Sequence, residues 1–355
     1  DIGEVSFDAF TLEEIKNINM EKVVEIISIS GLWPCIRRRP FSKIAIPENL
    51  PKSIFISTYA TYPYSPSINV LLEALDAEQI QAGINALIAL SSVDIHIIIP
   101  KGLEAEKINN LEGVNIHTCS GPHPSGNVGY HISNIDPIKD KDDCVWYISI
   151  QDLVAIGNLF LKGLVIGEKI ITVGGCPNSI DNTHLIINRN SLISDILPKN
   201  INTQKNRIIS GDILSGSISD LDKSIGFYDN VVSVINDEFK REFIGWLSPG
   251  LNKYSLTRTF LSKMLPLKPM LPVTSMNGGV RSIVPIGLIE RMCNLDILPT
   301  MLLKAIIAND IEMMEELGIY ECAPEDFSLC SYIDASKMDI KQIIQDGLDY
   351  AEVEG

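Results

Sequence analysis

The chain has 355 residues, of which 45% are hydrophobic and 21% charged, and its net charge at pH 7 is −16. This length is sufficient for two or three domains with separate cores, and the charged fraction gives no indication of global disorder. So acidic a chain repels DNA, RNA and anionic lipid headgroups through its mean field, which argues against nucleic acid as a partner.

The first predicted element is a short helix followed by a basic loop. Asn19 can cap the helix and Gly31 supplies its stop. The loop carries Arg37, Arg38 and Arg39 in a row. We favour a structural arginine cluster that pairs with the chain's many carboxylates; the alternative is a contact for acidic partners or lipid headgroups.

From position 53 onward, strand and helix signals alternate. The predicted strands are 53–59, 95–99, 114–118 and 145–148, and the predicted helices are one capped by Asp76 and one over 151–162. This alternation predicts a mostly parallel, Rossmann-like sheet. The sequence contains no GxGxxG, P-loop, HExxH or GxSxG pattern. We therefore expect a Rossmann-like sheet that lacks a dinucleotide-binding site.

The rest of the chain divides into a β-rich part and a helical part. Short strands are predicted at 170–173, 185–187, 207–210 and 231–235 with one helix at 191–197, which is compatible with a β-grasp arrangement. Helices then follow, with starts at Asp296, Asp310, Pro324 and Ile340. We expect a helical lead-in (1–30), a Rossmann-like domain (31–165), a β-grasp domain (166–255) and a C-terminal helical domain (256–355).

The cysteines and the hydropathy pattern exclude several classes of site. The seven cysteines include no CxxC pair, which argues against a zinc ribbon, a thioredoxin-type site or a complete iron–sulfur motif. Reduced cytosolic thiols are the expectation. The uncharged stretch 53–72 contains prolines and hydroxyl side chains and is no membrane span.

The most unusual segment is Ser120–Ile132, which follows a predicted strand end, where α/β sheets place their ligand loops. Its glycines allow close backbone approach, and its histidines can donate to a carbonyl or exchange protons. A rigid structural loop is an equally good interpretation. As a quinone-binding or interface loop, its candidate residues are His123, Ser125, Gly126, Gly129, Tyr130 and His131.

This segment resembles the signature of the NqrA family, the A subunits of sodium-translocating NADH–quinone reductases. The resemblance extends in order over nearly the whole chain. The similar motifs are Ser30–Trp33, Arg39–Ile44, Gln151–Gly157, Arg207–Gly211, Lys253–Thr259, Val284–Gly287, Glu290–Arg291 and Leu295–Thr300. The family's N-terminal barrel-sandwich domain has no counterpart here, so the resemblance implies a truncated chain.

The resemblance implies a peripheral protein on the cytoplasmic side of the bacterial inner membrane. Its six-subunit complex oxidises NADH, reduces ubiquinone and exports Na+, and the isolated chain is not expected to be catalytic. FMN, FAD, riboflavin and iron–sulfur centres are implied in the other five subunits, and the membrane-embedded B subunit is implied as the chief partner. The family is similar to the flavin-binding subunit of respiratory complex I, which implies Rossmann-like, β-grasp (SLBB-type) and helical domains.

The sequence departs from the cofactor-binding relatives at two places. Residues 33–40 contain no glycine, although the related flavin loop is glycine-rich, and Cys330 has no closely spaced partner that could help to hold a cluster. We therefore expect no cofactor bound by this chain. We favour a docking and stabilising role, with quinone binding near His123–His131 as a second hypothesis and a stand-alone α/β small-ligand (quinone) binding protein as the alternative outside the complex.

Overall fold

A computed structural model describes residues 6–175, 183–199, 201–237, 245–251, 253, 260–265, 274–276 and 278–355. These residues form a mixed α/β structure with two sheets and surrounding helices. Cys176 and residues 254–259 of the Lys253–Thr259 motif lie outside the described ranges.

The first sheet has six strands in the order β2-β1-β6-β3-β4-β5. β3, β4, β5 and β6 are parallel, whereas β1 is antiparallel to β6 and to β2. Their bounds are β1 Arg37–Arg39, β2 Lys43–Ile44, β3 Ser53–Ser57, β4 Asp94–Pro100, β5 Asn115–Cys119 and β6 Val145–Ser149. The chain steps outward from β3 through β4 to β5 and then returns to the other side of β3 as β6, so the strand order reverses between β3 and β6.

The helices of the first half cover both faces of this sheet. Asn19 caps the second helix and Asp76 caps the fourth, so these two sequence predictions are confirmed. Gly163 ends the seventh helix in a left-handed conformation. The helices are α1 Leu12–Lys16, α2 Met20–Ile29, α3 Ile68–Ala74, α4 Ala77–Leu90, α5 Glu106–Asn109, α6 Val128–Ile135 and α7 Ile150–Lys162.

Helices α4 and α7 pack with their backbones in close approach because each contributes a glycine to the contact. A Cβ on Gly157 would lie 1.9 Å from the Gln79 carbonyl oxygen, and one on Gly83 would lie 2.5 Å from the Leu153 carbonyl oxygen. The rest of this contact is buried aliphatic side chains such as Ile84. The hydrophobic core on this face of the sheet therefore depends on two positions that tolerate no side chain.

The second sheet has five strands in the order β10-β9-β11-β7-β8, with β11 parallel to β7 and the other pairs antiparallel. The sequence predicts four of these strands and the short helix, and it misses β10. The elements are β7 Glu168–Gly175, β8 Thr183–Asn188, α8 Ile193–Ile196, β9 Asn206–Ser210, β10 Ser217–Ser219 and β11 Val231–Asn236.

The C-terminal part packs as helices against the first sheet. Its elements are α9 Leu288–Met292, α10 Pro299–Ala308, α11 Ile311–Glu316, a 3-10 helix over Pro324–Phe327, α12 Ser328–Ile333 and α13 Ile340–Glu354. Asp310 caps α11 as predicted. The predicted cap at Asp296 is wrong: α10 has Leu298 at its N-cap, because Pro299 has the fixed φ of a first helical position.

Two predicted loops are wrong in part. Arg37–Arg39 is strand β1, which pairs with Val145–Tyr147. Three consecutive arginines show no alternation of polar and apolar side chains, so the sequence pattern could not indicate a strand. The second half of Ser120–Ile132 is helical, because α6 starts after Asn127. Gly129, Tyr130 and His131 therefore lie on a helix.

Among the described residues, no helix combines the length and the hydropathy that a bilayer crossing requires.

Candidate ligand-binding site

A cavity of about 280 Å³ lies at the carboxyl ends of β3 and β6. Ser57, the last residue of β3, and Ser149, the last residue of β6, both line it. The strand order of the first sheet reverses at this point, and open α/β sheets bind ligands in the crevice formed there. The topology alone therefore marks this cavity as the candidate site.

Residues from three separate parts of the chain close the cavity. The first sheet and its loops contribute one side, the second sheet contributes the residues around 211 and 228–231, and the helical part contributes Glu325 and Ser328. The lining residues that give the cavity its charge, its aromatic surface and its hydrogen-bonding groups are Arg37, Tyr62, His123, Gly126, Tyr147, Asp152, Asp212, Tyr228, Asp229 and Glu325.

Arg37 is held between two tyrosine rings at the wall of the cavity. Its guanidinium carbon lies 5.2 Å from the ring centre of Tyr147 and 4.8 Å from that of Tyr228. One of its N–H groups donates to the Ser42 carbonyl at 2.8 Å. Because a guanidinium has five N–H donors, this arrangement leaves Arg37 with donors for another acceptor.

The two following arginines are committed to carboxylates of the same chain. Arg38 lies 3.4 Å from Glu352. Arg39 is fully buried and pairs at 2.9 Å with Asp326 and at 2.9 Å with Glu325. These contacts tie the first sheet to the helical part, and they leave Arg37 as the arginine of the three that faces the cavity.

The carboxylates that line the cavity are partnered within the protein. Glu325 stays ionised: burial raises its pKa, but Arg39 and then Arg37 outweigh burial and lower it overall. Neutral donors or buried arginines hold the acidic groups in the pairs Asp152–Arg189, Asp212–Ser215, Asp229–Ser210 and Glu325–Arg39. Excess negative charge at the walls makes the cavity unfavourable for a phosphate or other dianion.

The hydroxyl and imidazole groups of the cavity are neutral near pH 7. Burial raises the pKa of Tyr62 well above its usual range and that of Tyr147 to about 12, so both keep their protons. Burial lowers the pKa of His123, against the opposing charge of Asp212. The cavity thus offers neutral hydrogen-bonding groups beside one cation.

The structure divides the residues singled out in Ser120–Ile132. His123 and Gly126 line the cavity, and the Nδ1 atom of His123 lies 3.2 Å from the Thr61 hydroxyl. The others do not line it: Ser125 and His131 are buried behind the loop, and Tyr130 is half-buried on α6. The part of this segment that lines the cavity is His123 and Gly126–Val128.

Gly129 and His131 instead have packing roles. A Cβ on Gly129 would lie 2.3 Å from both Arg39 Nη1 and Asp326 Oδ2, so glycine is needed where α6 passes the buried ion pair. The Nε2 atom of His131 lies 2.9 Å from the Ser125 carbonyl, which fixes the loop against the helix. Both residues support the cavity wall without facing the cavity.

Burial of His131 predicts a loss of stability in acid. Burial lowers its pKa to about 4, and the nearby Arg39 adds to the shift although the Ser125 carbonyl opposes it. As the pH falls, the unfolded state therefore binds a proton before the folded state does. The contribution of neutral, buried His131 to the free energy of unfolding is complete above pH ~6.5 and is lost as the pH falls toward ~4. We expect the free energy of unfolding to fall between pH ~7 and pH ~5 by roughly 2 kcal/mol more in the wild type than in a His131→Gln variant. Denaturant titrations at the two pH values measure this difference, and an equal fall in both proteins would contradict the prediction.

Most of the cavity cannot be predicted from the sequence. The sequence predicts a loop at Arg37 and gives no indication of a role for Tyr62, Tyr147 or Tyr228, which also line the cavity. The one sequence signal that could have found the site was the end of the strand at Ser149, since residues just after parallel strands share one edge of a sheet. The tyrosines come from distant segments, and no local pattern brings them together.

The cysteines of the helical part are Cys293, Cys322 and Cys330, and all three are buried. Cys322 and Cys330 are fully buried, and burial raises the pKa of the nearby Cys293 to about 11, so these thiols stay protonated. Among the residues that the structure describes, no group of three or more His, Cys, Asp or Glu side chains is placed to hold a metal ion.

Comparison with known proteins identifies relatives along nearly the whole chain. The model of the "NqrA second alpha/beta domain" family matches residues 18–165. The A subunit of the Na(+)-translocating NADH-quinone reductase of Yersinia pseudotuberculosis is 34% identical over 353 residues, which is 99% of this chain and 78% of that protein. The corresponding A subunit of Neisseria gonorrhoeae is 34% identical over 361 residues, with 99% and 78% covered.

Among solved structures, an NAD+-reducing [NiFe]-hydrogenase in the H2-reduced state aligns with a TM-score of 0.47 at 13% identity, over 64% of this chain and 49% of that chain. A TM-score at this level supports no argument about function.

Proposed function

The chain belongs to the NqrA family, the A subunits of Na+-translocating NADH-quinone reductases, and from this premise we propose that it works as one subunit of such a reductase. The complex couples NADH oxidation and quinone reduction to Na+ export. The chain takes a peripheral place on the cytoplasmic side of the inner membrane, chiefly against the membrane-embedded B subunit. Retention of the chain in the membrane fraction through association with the other subunits is the expected result; a free pool unlinked to that fraction would favour the stand-alone alternative.

We propose that the chain's own contribution is to bind the headgroup of a quinone in the cavity at the carboxyl ends of β3 and β6. The observation that carries this proposal is the cavity itself, at the reversal of strand order and lined by Arg37 and His123. Its volume of about 280 Å³ is near the ~300 Å³ lower limit of ligand pockets, so one small ring suits it better than a dinucleotide.

The chemistry of the walls also suits a quinone. A quinone headgroup is neutral, planar and apolar, with carbonyl oxygens that accept hydrogen bonds. The ring of Tyr228 and the phenols of Tyr62 and Tyr147 provide flat apolar surface and neutral donors, and His123 adds an imidazole. The acidic surroundings do not repel such a ligand, whereas they repel a flavin or nucleotide phosphate.

His123 provides a direct test of quinone binding. We expect His123→Ala to weaken the affinity for a short-chain ubiquinone analogue roughly fivefold to tenfold, since a hydrogen bond of ~1 kcal/mol is lost. Titration calorimetry on the purified chain measures this, with His184→Ala as a control because His184 lies on β8 and does not line the cavity. Equal affinities for the wild type and His123→Ala would remove His123 from the site.

We further propose that this chain binds no flavin and no iron–sulfur centre of its own. In place of a glycine-rich phosphate loop it has a 3-10 helix over Trp33–Cys35 and strand β1, whose arginines fill the space with side chains. The acidic groups around Arg37 add to this argument. A visible absorption spectrum of the purified chain is the test, and a flavin or iron–sulfur band would contradict the proposal.

A docking role is the second candidate function, and a specific surface supports it. Large apolar side chains are exposed among the described residues that follow the second sheet and on α10 of the helical part, where a partner protein of the complex could cover them. They are Leu247, Leu251, Leu261, Met264, Leu265, Met276, Val280, Val284, Ile286, Leu298, Met301 and Ile307. Cross-linking within the assembled complex tests this role; cross-links confined to other surfaces would contradict it.

The strand orders support finer fold assignments, which we also propose. The four parallel strands, in the order β6-β3-β4-β5, match the 3-2-1-4 part of the Rossmann strand order. The second sheet, with β7 and β11 parallel at its centre and antiparallel strands outside, fits a β-grasp (SLBB-type) domain. We propose the boundaries 1–30, 31–165, 166–255 and 256–355 together with these assignments, and an experimentally determined structure with other strand orders would overturn the assignments.

A further inference from the structure

We propose that Arg37 is the residue that selects the ligand of the cavity, by donating to a carbonyl oxygen at the edge of a neutral planar molecule. This inference rests on the proposed quinone-binding function and assigns it a contact residue. It follows from the position of Arg37, from its remaining donors and from the charge around it.

The position of Arg37 is fixed before any ligand arrives. Arg37 is opposite Tyr147 in the β1–β6 pairing, so the tyrosine ring lies against the guanidinium by strand register. The second ring, Tyr228, comes from the turn before β11 and is anchored by its hydroxyl, which donates to the Pro34 carbonyl at 2.9 Å. Two cation–π contacts and one hydrogen bond therefore hold a cation that loses little freedom on binding a ligand.

The remaining donors of Arg37 are at the edge of its guanidinium. The rings of Tyr147 and Tyr228 lie over the group, and one N–H is used by the Ser42 carbonyl. Among the described residues, Arg37 forms no salt bridge, in contrast to Arg38 and Arg39 on the same strand. A ligand in the cavity therefore meets an unpaired cation whose free N–H groups lie in the plane of the guanidinium.

The charge around Arg37 determines which acceptor suits it. Asp212, Asp229 and Glu325 line the same cavity, and each is already partnered. Their negative charge offsets the attraction of Arg37 for an anion, while a neutral carbonyl oxygen gains the charged hydrogen bond without that repulsion. The favoured ligand is a planar carbonyl compound of the quinone class, and phosphates are disfavoured.

The contact between the Arg37 guanidinium and the Tyr228 ring makes Tyr228 a second determinant of ligand binding. Because Tyr228 lies in the turn before β11 of the second sheet and Arg37 lies on β1 of the first, the ligand contact requires both parts in their observed arrangement. Removing the ring frees the guanidinium to adopt other positions. Removing only the hydroxyl keeps the ring and breaks the hydrogen bond to Pro34.

Titration calorimetry with a short-chain ubiquinone analogue and with inorganic pyrophosphate tests the inference. We expect Arg37→Gln to bind the quinone at least about tenfold more weakly than the wild type, since a hydrogen bond from a charged donor is lost. Arg37→Lys should bind at an intermediate level, because it keeps the charge without the planar fork. Tyr228→Ala should weaken binding and Tyr228→Phe should largely retain it.

Arg207→Gln is the matched control, because Arg207 on β9 pairs with Asp237 and does not line the cavity. Thermal unfolding of each variant verifies that it is folded, and Arg37→Lys and Tyr228→Phe carry the test if Arg37→Gln unfolds. No quinone binding by the wild type would overturn the proposed function together with this inference. Wild-type binding that Arg37→Gln matches would overturn the role of Arg37 alone, and tighter binding of pyrophosphate than of the quinone would overturn the ligand class.

Discussion

Replacing Arg39 with methionine should lower the free energy of unfolding by about 3–5 kcal/mol, because the substitution leaves the buried carboxylate of Asp326 without its cation. Arg39 has no exposed surface, and its two terminal nitrogens lie 2.9 Å from Asp326 and 2.9 Å from Glu325. Asp326 is itself only 4% exposed, so water cannot replace the arginine without rearrangement. Denaturant unfolding measures the loss.

A second variant separates the ion pair from packing. Replacing Arg39 with methionine and Asp326 with leucine together should recover at least part of the lost stability, since no unpaired charge remains at Asp326. Arg207→Met is the control, because its partner Asp237 is partly exposed and such pairs contribute less than ~1 kcal/mol. Similar losses for Arg39→Met and Arg207→Met would contradict a buried structural pair.

Replacing Gly157 with alanine should lower the free energy of unfolding by roughly 3 kcal/mol, the upper range for overpacking a core. The new Cβ would lie 1.9 Å from the Gln79 carbonyl oxygen and 3.0 Å from the Gly83 nitrogen, so α4 and α7 must move apart. Since α7 starts at the cavity, where Gln151 and Asp152 lie, the shift should also weaken quinone binding.

The matched control is Gly279→Ala, at a position where an added Cβ meets no atom within 4 Å. We expect this variant to unfold with nearly the wild-type free energy. If Gly157→Ala is as stable as Gly279→Ala, the close approach of α4 and α7 does not support the first sheet.

Much of the fold could be predicted because its signals are local. The strands at 53–57 and 145–149 are apolar runs that end at turn or capping residues, and the helix over 150–162 has a capping serine and a terminal glycine. These features depend on neighbouring residues only. Strand β1 was missed because three consecutive arginines become a strand through pairing with β6 and through ion pairs to residues nearly three hundred positions away in sequence.

The candidate site could be predicted only in part, for the same physical reason. The segment around His123 was identified from its glycines, prolines and histidines after a strand, and His123 does line the cavity. His131 has the same chemistry but is buried behind the loop, because it lies on α6 with its Nε2 atom against the Ser125 carbonyl. Which histidine faces the cavity depends on a helix start that the residue types do not specify.

The role of Gly129 shows a similar limit. A glycine in this segment indicated close backbone approach, and the sequence suggested a ligand as the approaching group. The structure places Arg39 and Asp326 there instead. A long-range ion pair and a ligand both require the absence of a side chain, and the sequence cannot distinguish between them.

A crystal structure of the chain with a short-chain ubiquinone analogue at saturating concentration tests the central claim most directly. We predict the quinone ring in the cavity at the carboxyl ends of β3 and β6, with a carbonyl oxygen within hydrogen-bond distance of Arg37 and with His123 at its rim. A quinone bound elsewhere on the chain, or an empty cavity at saturation, would contradict the claim and leave docking as the better account of what this protein contributes to the complex.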